Sequence, residues 1–557
     1  MTTANLEHDE PDVAFEKTVN NVREKSKWPL MVSDFGNMLK AFIGSNYLTI
    51  AYAFTQSGIL MGVILLTIIA AVTDHCCHLI VKCKYEAIKH VLSSREAYKS
   101  SPTSSVNGNA TFNSEKQDEV ERDLDNLKKS QDQMVRHLTY GDVGKIAYGS
   151  VGLFLVNACL LLTQFGFCVN YFIFIGNTIY TLFPSENTTK NYNDSTIVNE
   201  QITAENFKSQ HIDLNISLSA LPAYLPMYNV SEYVITSTSP DLRLLVLTPI
   251  PVFVGFAFLR DVRHLGFVSV GANVSIFIGS LVTLVYIIVG FSVSSDWELY
   301  KWATLPVFFG MVTSAFEGIG TILPIESSME GNRHNFSPFL HGSIVILSMV
   351  LTTFGIVGYL RYGETTEQIL NKNIPTTTAV GMAINICLLF GVILTFPLQI
   401  FPVIEISEIF IFGHGHQCDS TKKDQDNEDL EDGNIYGENS NAKLLPKRKA
   451  HAPDPVIMTL LNEVSSWKRN ILRILIVLCA AGLAILLRDL FAYVSAFIGA
   501  IGSSVIAYIL PCLFHLKLCW HKIGFCVRFK DICIIVFGTA ASILSLYTTI
   551  KEVVEKF

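Results

Sequence analysis

The chain has 557 residues, of which 50% are hydrophobic and only 16% are charged, and its formal net charge is -8. A soluble globular protein carries about 25% charged residues, so this composition excludes an ordinary soluble fold. The charged residues collect in separate polar segments, and several apolar runs between them are long enough to span a bilayer. The negative charge is spread over tails and loops and does not suggest nucleic-acid binding.

The apolar runs predict an all-α polytopic membrane protein with about 11 transmembrane helices. Residues 1–30 form a polar N-terminal tail and residues 31–550 form the membrane domain. The spans, numbered one to eleven in chain order, lie at about 31–54, 59–81, 149–179, 244–259, 268–293, 304–329, 343–360, 376–401, 471–487, 490–516 and 531–550.

The distribution of basic residues predicts which side each polar segment occupies. A basic patch at 23–27 precedes span one, which favours a cytosolic N-terminus by the positive-inside rule. The segments 82–148 and 413–470 are then cytosolic, and the short C-terminus, 551–557, is external or lumenal. We interpret Lys84, just after span two, as one of the cytosolic basic residues.

The polar segment 184–242 is predicted to be an external or lumenal loop. It contains almost no Lys or Arg and has four sequons for N-glycosylation. A single sequon carries little weight, but four in one loop favour the side of the membrane where glycans are attached. The predicted glycosylation sites are Asn187, Asn193, Asn215 and Asn229.

The middle of span six contains the stretch FEGIG, residues 316–320. A carboxylate deep in a bilayer is costly, so Glu317 is expected to face a protein interior or a water-filled cavity and to be functional. The neighbouring glycines weaken the helix and free backbone groups for other partners. We predict substrate-binding residues at Phe316, Glu317, Gly318 and Gly320.

Span one contains a matching stretch of small and polar residues, Gly44, Ser45 and Asn46. Gly44 and Gly318 both lie near the bilayer midplane, because each is 13 to 14 residues from the start of its span at about 1.5 Å per residue. Spans one and six open two groups of five helices, which predicts an inverted 5+5 helix repeat plus one extra helix. Broken helices at corresponding positions of such halves indicate a transporter's substrate site. The alternative is that these small residues serve close helix packing.

A zwitterionic amino acid fits such a pair of helix breaks, because helix N-termini attract a carboxylate and free carbonyls attract an ammonium. Three roles stay open for Glu317: a protonatable coupling group, a partner for the substrate amine, or a brace between helices. His75, at the inner end of span two, is a second coupling candidate, with a solvated interfacial position as the alternative. Glu405 and Glu408, just past span eight, are expected to be solvated. We predict no metal site and no cofactor; H⁺ is the expected coupling ion and Na⁺ is not excluded.

Several motifs resemble the amino acid/auxin permease family, and most closely its animal proton-coupled amino acid transporter branch. The most specific is FFGMVTSAFEGIGTILPIESSM in span six, which resembles the branch's Phe-Glu-Gly-Ile-Gly signature followed by Leu-Pro and an acidic residue. The runs LTQFGFCVNYFIFIGNTI, DHCCHLIVKC and ILPCLFHLKL are similar to family motifs of spans three, two and ten. The resemblance covers roughly residues 33–550 apart from the long polar segments.

This resemblance implies eleven spans with a cytosolic N-terminus, the inverted-repeat fold of the amino-acid/polyamine/organocation transporters, and symport of small amino acids with protons. The chain departs from the pattern at two informative places. Asn46 replaces a glycine of the family's span-one motif, and Asn37 stands where the branch has a histidine. These departures bear on the choice of substrate and of coupling ion.

The sequence therefore predicts a secondary active transporter of small amino acids, proton-coupled and working by alternating access. The alternative is an amino-acid-sensing membrane protein, a transceptor, that signals through its cytosolic segments with little transport. An enzyme is not expected, because no nucleophile–base pair or phosphate loop is present. The expected partners are small amino acids and the lipid bilayer, with no nucleic acid and with cytosolic partners left open. The plasma membrane and a lysosomal or vesicular membrane both fit.

Overall fold

The structure is a computed structural model that describes residues 28–42, 45–99, 134–183, 185–187, 235–237, 240–259, 265–329, 331–428 and 465–556. Nearly all of these residues are helical, as predicted. The described residues also include a pair of three-residue antiparallel strands, β1 (Ser185–Asn187) and β2 (Ile235–Ser237). One predicted glycosylation site, Asn187, is the last residue of β1. The other three, Asn193, Asn215 and Asn229, lie outside the described residues, and all four stay predictions.

The first half of the chain forms seven of the described helices. They are α1 (Trp28–Phe42), α2 (Ile50–Ser57), α3 (Ile59–Lys99), α4 (Tyr140–Leu182), α5 (Leu242–Leu247), α6 (Ile250–Ala257) and α7 (Leu265–Val289). A 3-10 turn, Ser45–Thr49, precedes α2. Helix α4 is kinked at Tyr148 and Gly149, where Gly149 has a φ of 64°.

The second half contains eight described helices. They are α8 (Leu305–Ala315), α9 (Ile319–Ser328), α10 (Phe336–Tyr362), α11 (Ala379–Glu428), α12 (Ser466–Leu486), α13 (Phe491–Ile498), α14 (Leu510–Cys519) and α15 (Phe525–Lys556). Between α13 and α14 the chain continues as two π-helical turns, Gly499–Ser503 and Val505–Ile509.

Nine segments of the described chain are long and apolar enough to cross a membrane. The two predicted spans that do not reach this length are interrupted. Span one divides into α1 and α2, and span four consists of the short helices α5 and α6 within Leu242–Ala257. The polytopic all-α fold class is confirmed, and the interruptions explain why fewer continuous spans than the predicted eleven are present.

Spans one and six lie antiparallel against each other. The first half of span one, α1, packs against α9, and its second half, α2, packs against α8. At one end Asn332 Nδ2 donates to Asp34 Oδ2 over 2.8 Å. At the other end Thr304 Oγ1 donates to the carbonyl of Gln56 over 2.7 Å. This antiparallel pairing is the relation expected of two inverted halves.

Spans six and ten occupy the centre of the bundle. The buried share of their membrane-spanning windows is 78% and 72%, against 22% for span eleven. The two central spans approach closely because glycines face each other. A Cβ on Gly499 would lie only 1.8 Å from the carbonyl oxygen of Gly310, so no side chain fits at this contact.

Two charged residues lie elsewhere than predicted. Glu408, which we expected to be solvated, is 2% exposed, so that expectation is wrong. Its carboxylate accepts from Arg469 Nη2 at 2.7 Å and from Arg473 Nε at 2.8 Å, joining α11 to α12. Lys84, interpreted as a marker of the cytosolic surface, is completely buried. Buried charges are retained in proteins where they are paired, and both residues have found partners.

Candidate functional site

Span six is broken at its middle, between α8 and α9. The amides of Phe316 and Glu317 still donate to Val312 and Ser314 of α8, over 3.0 Å and 3.4 Å. Gly318 then leaves the helical conformation, with φ -168° and ψ -7°, and α9 begins at the next residue. The first amides of a helix have no acceptor within that helix, and they form the positive end of its dipole. The break therefore presents backbone donors at the centre of the bundle.

Span one is also interrupted, at the level of Phe42, where α1 ends. Gly44 lies outside the described residues. Ser45 and Asn46 begin the 3-10 turn that leads into α2, and their side chains are not described. Among the described residues, span one is thus not one continuous α-helix, because the 3-10 turn separates α1 from α2.

The two breaks touch each other. A Cβ on Gly318 would lie 2.5 Å from Phe42 Cδ1 and 2.9 Å from the carbonyl oxygen of Ala41, at the end of α1. A Cβ on Gly320 would lie 2.9 Å from Leu160 Cδ2 of α4. Both glycines therefore allow close helix packing, which was the alternative to a substrate-binding role. The helix is also interrupted beside them, so the two explanations do not exclude each other. The ring of Phe316 is buried.

Glu317 places a buried carboxyl group at the junction, the contact between the breaks of spans one and six. Its Oε2 atom is buried and has no hydrogen-bond partner among the described residues. The Ser503 hydroxyl lies close enough to interact with the carboxyl group, yet Ser503 Oγ also lacks a partner in hydrogen-bond geometry. Thr313 Oγ1, one turn before Glu317, also lacks a partner in hydrogen-bond geometry, although the Tyr508 hydroxyl lies close enough to interact with it. Buried polar groups are almost always satisfied, so this cluster has free capacity for a ligand, a water or a proton.

The π-helical part of span ten supplies the wall opposite Glu317. Tyr140 of α4 donates to the carbonyl of Ile506 over 2.7 Å, and Tyr508 shares a hydrogen bond of 3.2 Å with Thr73 of α3. Single π-turns inside helices are frequent at functional sites. Ser503 was not predicted from the sequence; its only local signal is the run of small residues GAIGSS.

The second coupling candidate, His75, does not join this cluster. Its charged neighbours are His78, His515, Lys530 and Asp531, which lie at the end of the bundle predicted to be cytosolic. Its Nε2 atom is buried and has no partner among the described residues. The structure therefore separates the two candidates into different regions of the molecule.

A paired glutamate, Glu326, lies in the second half of span six. Its Oε2 accepts from Lys84 Nζ at 2.6 Å, and Lys84 Nζ also donates to Ser327 Oγ at 2.7 Å. The Tyr85 hydroxyl donates to Oε1. Arg333 Nε approaches the same carboxylate to 3.6 Å. This network fixes α3 to α9 between the break and the predicted cytosolic face.

The opposite end of spans one and six is open to a cleft of about 550 Å³. It lies at the predicted external face, between the end of α2, the start of α8 and α15. Polar and charged groups line its walls, among them Gln56, Glu298, Lys301, Thr304 and Glu552.

One group of side chains within the described residues has the spacing of metal ligands: Asp74, His78 and His341, whose ligand atoms lie within 4.8 Å of one another. Hydrogen bonds account for their arrangement. His341 Nδ1 lies 2.8 Å from Asp74 Oδ2, and His78 Nε2 lies 2.9 Å from Ser337 Oγ. The group joins span two to span seven at the predicted cytosolic face.

Two interrupted helices in contact, with a buried acid beside the contact, form the arrangement expected of a transporter's substrate site. The chain belongs to the family described as "Transmembrane amino acid transporter protein", whose profile matches residues 31–108, 124–211 and 214–551. The family resemblance inferred from the span-six signature is thereby confirmed. The chain is a multi-pass membrane protein for amino acid transport and not an enzyme.

Relatives in plants, yeast and insects support this assignment. "Amino acid transporter AVT3C" of Arabidopsis thaliana is 24% identical over 93% of this chain and 90% of its own length. "Vacuolar amino acid transporter 3" of Saccharomyces cerevisiae is 24% identical over 74% of this chain and 48% of its own length. "Proton-coupled amino acid transporter-like protein pathetic" of Drosophila melanogaster is 22% identical over 66% of this chain and 62% of its own length.

Proposed function

We propose that this protein is a proton-coupled symporter of small amino acids that works by alternating access. The observation that carries the proposal is the contact between the two helix breaks, with the unpaired carboxylate of Glu317 beside it. The proposed substrate site consists of the stretches 44–46 and 316–320. Its residues are Gly44, Ser45, Asn46, Phe316, Glu317, Gly318 and Gly320.

The chemistry of the junction suits a zwitterion. The first amides of α9 offer donors and a positive dipole end to the substrate carboxylate. The last carbonyls of α1 are acceptors, and with Glu317 they offer negative charge to the ammonium group. Little space is left around this site, because it is lined by Phe42, Phe316 and Leu160. The tight packing favours substrates with small side chains.

The two ends of the spans differ in a way that supports alternating access. At the predicted cytosolic end, the Lys84–Glu326 and Asp34–Asn332 contacts hold the helices together. At the predicted external end a cleft reaches the outer ends of spans one and six. We infer that the described conformation is closed toward the cytosol. Release of substrate to the cytosol then requires these contacts to open.

Coupling to protons is supported by the span-six signature and by the name of the insect relative. Glu317 is the proposed point at which protonation and substrate binding influence each other, with Na⁺ as the alternative ion. The vacuolar yeast relative favours the membrane of an acidic compartment, where a proton gradient would drive amino acids into the cytosol. The plasma membrane is the other location that fits.

The test is uptake of a panel of labelled amino acids by proteoliposomes that contain the purified protein, with an imposed pH gradient and with or without Na⁺. We expect small neutral amino acids to accumulate when the side facing the external cleft is acidic, without need of Na⁺. Accumulation that requires Na⁺ and ignores the pH gradient would overturn the coupling. No flux of any amino acid would favour the sensor hypothesis, whose segment 413–470 lies mostly outside the described residues.

A further inference from the structure

A second group of buried ionisable side chains lies where spans two, ten and eleven meet. His515 Nδ1 of α14 lies 2.6 Å from Asp531 Oδ2 of α15. The two side chains are 1% and 0% exposed. A buried carboxylate is expensive unless it is paired and hydrogen-bonded. The histidine partner provides this pairing, and it ties the last span to the centre of the bundle.

The pair does not satisfy all of its own atoms. His515 Nε2 and Asp531 Oδ1 are buried and have no hydrogen-bond partner among the described residues. His75 Nε2, on the neighbouring α3, is also unpartnered, and His75 interacts electrostatically with both members of the pair. Three unsatisfied ring and carboxylate atoms in one buried region cost free energy in a static structure. Such a cost is explained if the group binds something during the working cycle.

The contact with Asp531 fixes the orientation of the His515 ring. If the Nδ1–H of His515 donates to the carboxylate, the lone pair of Nε2 is left free as a proton acceptor. A carboxylate that holds an imidazole in this way also stabilises the imidazolium that forms when Nε2 is protonated. If the ring starts neutral and the carboxyl group ionised, uptake of one proton removes the net negative charge of the pair. Burial of the pair then becomes less costly, which links proton binding to helix packing.

The surroundings supply both polar and charged neighbours. Helix α3 contributes two histidines and buried thiols, α14 contributes further thiols, and α15 contributes a lysine. These titratable and charged groups are His75, His78, Cys76, Cys83, Cys512, Cys519 and Lys530.

We propose that His515 and Asp531 form a proton-binding site of the transport cycle, separate from the substrate site, with His75 as the neighbouring acceptor. The proposal rests on the proposed proton symport. One proton from the external side binds the lone pair of His515 Nε2 without breaking another bond, and the same proton leaves to the cytosol by way of His75. His515 lies 12 residues after Ser503, so the two sites occupy different levels of span ten.

The experiment separates substrate exchange from net proton-driven transport in proteoliposomes. His515→Gln and Asp531→Asn are compared with wild type in two assays: exchange of labelled for unlabelled amino acid without a pH gradient, and accumulation driven by a pH gradient. We expect both variants to keep exchange and to lose pH-driven accumulation. The matched control is His521→Gln, an exposed histidine in the turn between the same two helices, which should behave as wild type.

Each other outcome has a defined meaning. Wild type without any response to the pH gradient contradicts the proposed symport itself, whatever the variants do. A coupled wild type together with coupled His515→Gln and Asp531→Asn variants overturns only the proton-binding site. Loss of exchange as well, in variants with an unchanged melting temperature, would assign the pair to the substrate step and also overturn the proposal.

If the variants of the pair do not fold, His75→Gln tests the proposed proton route instead. His75 is not bonded to the pair in the described conformation, so its replacement should leave the fold intact. Slowed pH-driven uptake with unchanged exchange supports the proton route. Unchanged uptake in both assays overturns it.

Discussion

Glu317 and Glu326 belong to the same interrupted helix and are only nine residues apart, yet their surroundings are opposite. Glu326 is bonded to Lys84 and Tyr85 and is approached by Arg333. Glu317 has one oxygen with no partner among the described residues. A buried charge that is fully paired holds elements together, whereas one that is left unpaired is available to a ligand. The brace of span six is therefore Glu326, whereas the free oxygen of Glu317 is consistent with its proposed role in binding.

The largest effect on stability is expected when Lys84, the buried partner of Glu326, is replaced. Lys84→Met leaves Glu326 as an uncompensated buried charge and should destabilise the protein by about 3–5 kcal/mol. The measurement is the melting temperature of the purified protein in detergent. Lys301→Met is the matched control, because its 2.7 Å ion pair with Glu364 is partly exposed and should be worth about 0–1 kcal/mol. Equal losses of stability in the two variants would contradict the distinction between the buried and the partly exposed ion pair.

A smaller loss is expected when the break itself is disturbed. In Gly318→Ala the new Cβ meets Phe42 and the backbone of Ala41, so overpacking should cost about 1–3 kcal/mol and reduce uptake. The control is Gly482→Ala, where no atom lies within 4 Å and a helical alanine should stabilise by about 0.5–1 kcal/mol. Wild-type uptake by Gly318→Ala would show that the tight junction is not needed for transport.

Removing the charge of Glu317 should affect binding more than folding. Glu317→Gln keeps the shape of the side chain and removes an unpaired buried charge, so the melting temperature should stay the same or rise. Substrate affinity should fall by about tenfold, which corresponds to about 1.4 kcal/mol. The measurement is substrate-dependent stabilisation in a thermal-shift titration. A strong loss of thermal stability would mean that Glu317 is a second brace.

The smallest effect on stability is expected for Arg333, the partly exposed cation beside Glu326. Arg333 Nε is 3.6 Å from Glu326 and its side chain is 32% exposed, so Arg333→Gln should cost about 0–1 kcal/mol. Melting temperatures of the single variants and of the Lys84→Met, Arg333→Gln double variant give the coupling between the two cations. A loss as large as that of Lys84→Met would show that Arg333 carries the pairing of the glutamate.

The sequence was sufficient for the class of fold and for the location of the junction. Apolar runs of membrane length and small residues at mirrored depths are local signals, and both Gly318 and the interruption after Phe42 follow from them. The partners of charged residues are not local. Lys84 and Glu408 lie at the ends of apolar runs, where a solvated position is the simplest prediction. Their burial depends on partners that are far along the chain. Ser503 and the His515–Asp531 pair were missed for the same reason.

The glycine contact between spans six and ten has a mechanical consequence. Because Gly310 and Gly499 bring the two backbones together, α8 is held against α13, α15 and the π-helical turns, and a separation would open a void. Helix α9 lies beyond this contact and rests mainly on α1 and α3. The outer half of span six is thus packed more extensively than the inner half. We expect the proposed opening toward the cytosol to bend the helix at the interruption between them, Phe316 to Gly318.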